Sequence, residues 1–221
     1  MSGTDPAATI LALRQAKTGF EVLMVHRNSR GYFGDIVVFP GGKVDDLDVP
    51  EGLTRFDDLS HRNAALREFA EETGILITGA GPVPAPRARG REYYRKLEEG
   101  GLTGGHRHLV LVSRWVTPEY APRRFDTRFY VVECDGAPDV VIDEDELVGY
   151  EWIAPIAALD RFEAGNWPLI RPTISHLKWL SRWSTVAEAI GSARGADGRT
   201  VIVPQRVDDR SLLPILMPTE A

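Results

Sequence analysis

The amino-acid sequence predicts an α+β fold, in which a mixed β-sheet lies between α-helices and a helical extension follows at the C-terminus. Short apolar runs bounded by turn residues recur from residue 7 to residue 153, which is typical of strands in a sheet. An amphipathic segment at residues 60–73 divides these runs, and an apolar stripe of helical spacing covers residues 172–190. With 221 residues, 43% of them hydrophobic, the chain can bury one sizeable core, so we expect a single domain over residues 1–221.

The N-terminal part is predicted to form a hairpin followed by a buried strand. Residues 7–13 and 20–26 are strand-like and flank a turn containing Thr18 and Gly19. A polar loop follows at 27–35, and the apolar run 36–39 then leads into Pro40, Gly41 and Gly42. Two consecutive glycines permit a close approach of the backbone to a phosphate or a metal-bound water.

A helix with an acidic face is predicted between Ser60, a favourable N-cap, and Gly74, which stands where a left-handed C-terminal cap belongs. Glu68, Glu71 and Glu72 share one face of this helix, where like charges repel by a few tenths of a kcal/mol per pair. A hard divalent cation held by carboxylate oxygens, Mg²⁺ or Mn²⁺, would relieve the repulsion. The alternative is a solvated acidic surface.

The later part of the chain is predicted to alternate between strands and helices. Strands are expected at 75–78, 109–116, 129–134 and 147–153, and helices at 91–99, 154–164 and 172–190. Residues 79–90, rich in glycine and proline, are expected to be irregular. Residues 200–204 and 211–217 are expected to form a closing hairpin or lid in the C-terminal tail, which runs from about 171 to 221.

Composition excludes some classes of function. The net charge is −6 and no block of basic residues is present, which argues against binding to duplex nucleic acid. The single cysteine, Cys134, excludes an internal disulfide. No apolar run reaches membrane-spanning length and the N-terminus has no leader-like pattern, so we expect no membrane association and a cytoplasmic location.

The residues around the acidic helix resemble a known signature. Pro40-Gly41-Gly42, followed by Arg67, Glu68, Glu71, Glu72 and Gly74 at their spacing, resembles the box of the Nudix hydrolases, here residues 41–75. Asp48 occupies the slot of the first acidic residue of that box, and an insertion of about 11 residues, roughly 49–59, separates it from Arg67. An interrupted box resembles the branch that includes the peroxisomal coenzyme A diphosphatase, and segments 27–31, 114–118 and 123–129 are similar to that branch too.

The resemblance implies a role for each box residue. Glu68 and Glu72 would bind Mg²⁺ or Mn²⁺, Glu71 would complete the ligand shell or orient a water, and Arg67 would hold the glutamates in place. The turn at Gly41 and Gly42 would shape the floor of the site.

A further glutamate outside the box is a second candidate for proton transfer. Nudix proteins commonly carry one several residues before a tryptophan, and Glu146 stands six residues before Trp152. Either Glu71 or Glu146 would accept the proton from water. A solvated acidic turn is the other interpretation of residues 143–146.

Four arginines are candidate substrate-binding residues. Arg27 and Arg30 lie in the polar loop before the glycine turn, where they would contact phosphate or base unless the loop is simply exposed. Arg124 and Arg128 would neutralise phosphate oxygens that the cation leaves free, or would pair with Asp126 and the acidic run that follows.

The expected function is therefore metal-dependent hydrolysis of a nucleoside diphosphate linked to another moiety, with coenzyme A or acyl-coenzyme A implied as substrate by the branch resemblance. ADP-ribose or a dinucleotide remains an alternative substrate, and a non-catalytic nucleotide sensor an alternative class. The apolar stripe at 172–190 fits either core packing or a homodimer.

Overall fold

A computed structural model describes residues 3–28, 36–121, 123–195 and 201–203. The strands are β1 (Thr4–Gln15), β2 (Phe20–Arg27), β3 (Ile36–Val38), β4 (Gly41–Lys43), β5 (Ile75–Thr78), β6 (Gly81–Pro84), β7 (Val110–Val116), β8 (Arg124–Glu133), β9 (Leu147–Ile153) and β10 (Val201–Ile202). The helices are α1 (Asp58–Thr73), α2 (Gly90–Glu99), α3 (Pro155–Glu163), α4 (Arg171–Leu180) and α5 (Val186–Gly195).

Strand β1 is the centre of the main sheet. It pairs in parallel with β8 and antiparallel with β2 and β4, while β7 pairs antiparallel with β8 and β10 lies parallel to β7 at the edge. Strands β3 and β9 both pair antiparallel with β2, and β5 and β6 form a separate two-stranded sheet. The sheet is mixed, as the sequence predicted.

Helices cover both faces of this sheet. Helix α1 packs on the face that presents Ala8, Ile10 and Tyr130, and α3, α4 and α5 pack on the face that presents Leu11 and Phe129. Because side chains alternate along a strand, β1 and β8 each contribute to both cores. The predicted α+β arrangement, a mixed sheet between helices, is therefore confirmed. No helix in the described ranges is both long enough and apolar enough to cross a membrane.

Three local predictions need correction. Helix α1 begins at Asp58 with Asp57 as its N-cap, whereas Ser60 is buried and donates its hydroxyl hydrogen bond to the carbonyl of Thr54. The segment expected to be irregular contains β6. The helix expected at 172–190 is divided into α4 and α5, because residues 181–185 turn the chain and Glu188 accepts the backbone N–H groups of Ser184 and Thr185.

The closing hairpin falls mostly outside the described residues. Val201 and Ile202 form β10 against β7, and residues 200, 204 and 211–217 are not among those described.

We predict that Phe69→Ala lowers the free energy of unfolding by about 3–5 kcal/mol, because it opens a cavity in the core between α1 and the sheet. The Phe69 side chain is fully buried there. Denaturant unfolding measures the loss. Arg95→Ala on the exposed side of α2 is the control and should change the value by about 0.5 kcal/mol or less; equal losses in the two variants would contradict this packing.

Candidate active site

The glycine turn lies directly against helix α1. A Cβ atom added to Gly42 would lie 2.4–2.6 Å from the carboxyl atoms of Glu68, and one added to Gly41 would lie 2.4 Å from the carbonyl oxygen of Ala8. Real Cβ atoms essentially never come this close. Gly41 therefore requires glycine, because the obstructing atoms include the backbone of β1, whereas a Cβ at Gly42 would force the Glu68 carboxyl group to move. The backbone of β4 thus lies directly against the Glu68 carboxyl group.

Glu72 is the most deeply buried carboxylate of the site. Its oxygens accept hydrogen bonds from the backbone N–H of Gly41 at 2.9 Å and from Arg27 Nη1 at 3.0 Å. Burial raises the pKa of Glu72 to about 8; the positive charge of Arg27 opposes this shift, and the negative charge of Glu68 adds to it. Burial likewise raises the pKa of Glu68 to about 7, against the opposing charge of Arg67.

Arg67 is held by a buried ion pair with Asp48. The guanidinium donates through Nε and Nη2 to both carboxylate oxygens of Asp48, at 2.8 and 2.9 Å, and the Asp48 side chain is fully buried. Tyr94 on α2 donates its hydroxyl to Asp48 Oδ1 at 2.6 Å. Asp48 therefore reaches Arg67 despite the insertion between them.

The same guanidinium contacts two of the helix glutamates. Arg67 Nη1 lies 3.0 Å from Glu68 Oε1 and 3.1 Å from Glu71 Oε2. The second oxygen of Glu71 accepts the backbone N–H of Gly90 at 2.7 Å. Glu71 is thereby tied to the start of α2, while Glu68 and Glu72 lie toward the glycine turn.

Glu146 joins this group through Arg27. Arg27 Nη2 donates to Glu146 at 3.1 Å while Nη1 binds Glu72, and Arg89 donates to the other oxygen of Glu146 at 3.1 Å. The loop before β9 thus places the predicted glutamate beside the box residues. Arg27 thus bridges the buried carboxylate of Glu72 on α1 and the half-exposed carboxylate of Glu146 in the loop.

The carboxylates suit a hard divalent cation in chemistry, although they are not preassembled around one. Among the described residues, no three His, Cys, Asp or Glu side chains are placed closely enough to hold a metal ion as they stand. Glu68, Glu71 and Glu72 are each engaged by an arginine. The carboxyl groups of buried Glu72 and half-buried Glu68, both with raised pKa values, favour a positive charge beside them. An all-oxygen donor set is the one that Mg²⁺ and Mn²⁺ prefer.

A cleft of about 660 Å³ opens in front of Glu68 and Gly42. Its walls are largely apolar, with Phe39, Trp115, Phe125 and Phe129 among the lining residues. Cationic side chains also line it, namely Arg27, Lys43, Arg123 and Arg171, and Glu146 stands at the same opening. The arrangement can accept a ligand that combines an aromatic or aliphatic part with anionic groups.

The structure does not bring Arg124 and Arg128 to this cleft. Arg124 donates to the carbonyl of Thr117, and Arg128 pairs with Asp58 at 2.9 Å and donates to the carbonyl of Phe56. The alternation of β8 instead directs Phe125, Thr127 and Phe129 to the cleft. Arg30 lies outside the described residues.

Sequence reasoning missed three cationic residues of the cleft. Lys43 directly follows the glycine turn, Arg123 directly precedes β8, and Arg171 is the first residue of α4. Side chains alternate between the two faces of β8, so Arg123 would have been predicted at the cleft if the face of β8 toward the cleft had been known. Lys43 could have been predicted because it directly follows Gly42.

Three comparisons relate the chain to known proteins. The family model described as NUDIX domain matches residues 3–172. The crystal structure of a NUDIX hydrolase from Alicyclobacillus acidocaldarius is 30% identical with a TM-score of 0.75, and the match covers 86% of this chain and 97% of that one. A Caenorhabditis elegans protein with the provisional name nudix hydrolase 7 is 33% identical over 190 residues, which is 82% of this chain and 61% of that protein.

Human acyl-coenzyme A diphosphatase NUDT19 is 27% identical over 168 residues, which is 65% of this chain and 45% of that protein. The chain therefore spans less than two thirds of the length of these two curated relatives.

We predict that Asp48→Asn lowers the free energy of unfolding by about 3–5 kcal/mol, because it removes the buried negative charge that accepts two hydrogen bonds from the Arg67 guanidinium. Denaturant unfolding measures the loss. Tyr94→Phe removes only one hydrogen bond from the same carboxylate and should cost about 0.5–1.5 kcal/mol. A larger loss for Tyr94→Phe than for Asp48→Asn would contradict Asp48 as the principal partner of Arg67.

Proposed function

This chain belongs to the Nudix family, and from that membership we propose that it hydrolyses a nucleoside diphosphate linked to another moiety, with coenzyme A or acyl-coenzyme A as the substrate. The observation that carries the proposal is a pair of carboxyl groups held against the glycine turn beside a cleft. Glu72 is buried and accepts the backbone N–H of Gly41, whereas Glu68 is 17% exposed, lies against Gly42 and lines the cleft. Such a pair has no evident structural purpose, since burial of carboxylates costs several kcal/mol each.

In this proposal Glu68 and Glu72 hold Mg²⁺ or Mn²⁺, which when bound lowers the pKa of a coordinated water and offsets negative charge on the phosphate oxygens. Arg67 is a positioning residue, because it contacts Glu68 and Glu71 while Asp48 fixes its own guanidinium. Arg27, which contacts Glu72 and Glu146 and lines the cleft, is the candidate to bind the diphosphate.

The geometry favours Glu146 over Glu71 as the proton acceptor. Glu146 lines the same cleft as Glu68, and its side chain is 40% exposed. Glu71 is 9% exposed and has both oxygens occupied, one by Arg67 and one by the backbone of Gly90. Glu71 would then complete the ligand shell or maintain the position of α2 relative to the box.

The choice of coenzyme A or its acyl derivatives rests on two observations. The cleft combines aromatic walls with cationic residues, as a ligand with an adenine, several phosphates and an aliphatic arm requires. The human relative is named for hydrolysis of acyl-coenzyme A. ADP-ribose and dinucleotides share the adenine and the diphosphate, so a substrate panel must include them.

We predict that the purified chain cleaves coenzyme A and acetyl-coenzyme A in the presence of Mg²⁺ or Mn²⁺ and loses this activity with excess chelator. Product analysis by chromatography should show adenosine 3′,5′-bisphosphate and a phosphopantetheine product. Glu72→Gln should reduce turnover by at least about 100-fold, since even groups behind metal ligands cost 10–100-fold. Glu98→Gln, at an exposed position of α2, is the matched control and should leave turnover unchanged.

Other outcomes of this panel are equally decisive. Cleavage of ADP-ribose or NADH in place of the coenzyme A compounds would support the proposed reaction and contradict coenzyme A as the substrate. Binding of nucleotide without any turnover would contradict the proposed enzymatic activity and favour a nucleotide sensor.

We predict that Gly42→Ala weakens Mn²⁺ binding by about 10–100-fold, because the added Cβ displaces the Glu68 carboxyl group. Calorimetric titration with Mn²⁺ measures this without any substrate. Gly79→Ala is the matched control, as a Cβ there meets nothing within 4 Å. Unchanged Mn²⁺ affinity in Gly42→Ala would remove Glu68 from the proposed ligands.

A further inference from the structure

A group of basic side chains surrounds Asp5 at one corner of the main sheet. Lys43 Nζ forms an ion pair with Asp5 at 2.5 Å. The positive charges of Lys43, Arg123 and Arg55 lower the pKa of the Asp5 carboxyl group; the hydrogen bond from Lys43 is the largest cause. One carboxylate therefore lies among three cations.

The register of the strands explains why these residues meet. Asp5 on β1 is opposite Phe125 on β8, which places Arg123 at the entry of β8 beside the start of β1. On its other side β1 pairs with β4, where Ala7 is opposite Lys43. The corner is thus built from three adjacent strands and does not depend on a loop alone.

Two of the cations face the cleft already described. Lys43 and Arg123 both line it, and Lys43 Nζ lies 5.8 Å from the ring centroid of Phe125, another lining residue. Lys43 is also the residue after Gly42, so its Cα lies about 3.8 Å from that of the glycine that contacts Glu68. A cationic corner thus stands between an aromatic wall and the floor of the site.

We propose that Lys43 and Arg123, flanked by Arg55, form an anion subsite for a phosphomonoester carried on the sugar of the nucleotide. This inference rests on the proposed function, because it assumes that the diphosphate lies at Glu68 and the base against the aromatic wall. The sugar joins those two parts of a nucleotide, so a phosphate on it falls where the cations are. A phosphate dianion then displaces Asp5, because an ion pair as exposed as that between Asp5 and Lys43 is weak.

The subsite also gives the insertion a role. Arg55 belongs to the inserted segment and lies 3.7 Å from Asp46, and its positive charge is the smallest of the contributions to the lowered pKa of Asp5. On this proposal the insertion would add to the positive charge of the corner, while Lys43 and Arg123, which line the cleft, would contact the phosphate.

The test compares ligands that differ by one phosphate. Calorimetry on the full chain with Mg²⁺ should show adenosine 3′,5′-bisphosphate binding about tenfold more tightly than adenosine 5′-monophosphate, as two or three exposed ion pairs predict. The kcat/KM for coenzyme A should exceed that for 3′-dephospho-coenzyme A by a similar factor. In Lys43→Gln/Arg123→Gln both ratios should fall to within about twofold of one.

Two further variants sharpen the test. Asp5→Asn removes the competing carboxylate and should raise the binding ratio above that of the wild type. Arg95→Gln, a cation of α2 that pairs with Glu92 and Glu99, should leave it unchanged.

Equal affinity of the wild type for the two adenosine ligands, or binding of neither, overturns the inference. A preserved binding ratio without hydrolysis of any substrate overturns the proposed function and leaves the subsite standing. Hydrolysis of a substrate together with a binding ratio near one supports the proposed function and overturns the subsite.

Discussion

The buried ion pair between Asp48 and Arg67 is the interaction on which the rest of the site depends. Removing both charges from water costs several kcal/mol per ion, which only good geometry can offset. Here the guanidinium donates two hydrogen bonds to one carboxylate, and Tyr94 adds a third donor. The remaining nitrogen of Arg67 contacts Glu68 and Glu71, so the pair links the glycine turn, α1 and α2 into one unit.

The second constraint is electrostatic crowding of carboxylates with few positive partners. Glu72 is buried and Glu68 is 17% exposed on neighbouring turns of α1. The charge of Glu68 raises the pKa of Glu72 and the charge of Glu71 raises the pKa of Glu68, while Arg27 and Arg67 offset these effects only in part. The backbone N–H of Gly41 supplies a further donor to Glu72. Carboxyl groups whose pKa values are raised by burial and by neighbouring carboxylates are typical of functional sites.

Local sequence patterns predicted the sheet and the acidic helix, because each depends on periodicity or on a cap, whereas the grouping of the box residues was implied by the family resemblance. They could not predict which face of β8 meets the cleft: Arg124 and Arg128 have the right chemistry but lie on the other face, where Arg128 pairs with Asp58. Helical periodicity also continued across residues 181–185, although α4 ends at Leu180 and Thr185 and Glu188 cap the start of α5. The first failure concerns residues far apart in the sequence, whereas the Thr185–Glu188 cap is a local signal that the apolar stripe concealed.

The insertion shows how a site can acquire new residues without losing its chemistry. Lengthening a loop costs little, since each doubling adds only about 0.6 kcal/mol of closure entropy, and here the two ends are joined by Asp48 and Arg67. The segment is also fixed against the sheet, because Arg128 donates to the carbonyl of Phe56 and pairs with Asp58. An arginine that looked like a phosphate ligand thus anchors the insertion. On the proposed function, the box residues would set the catalytic chemistry and the residues at the rim of the cleft would set substrate choice, so the two could change separately.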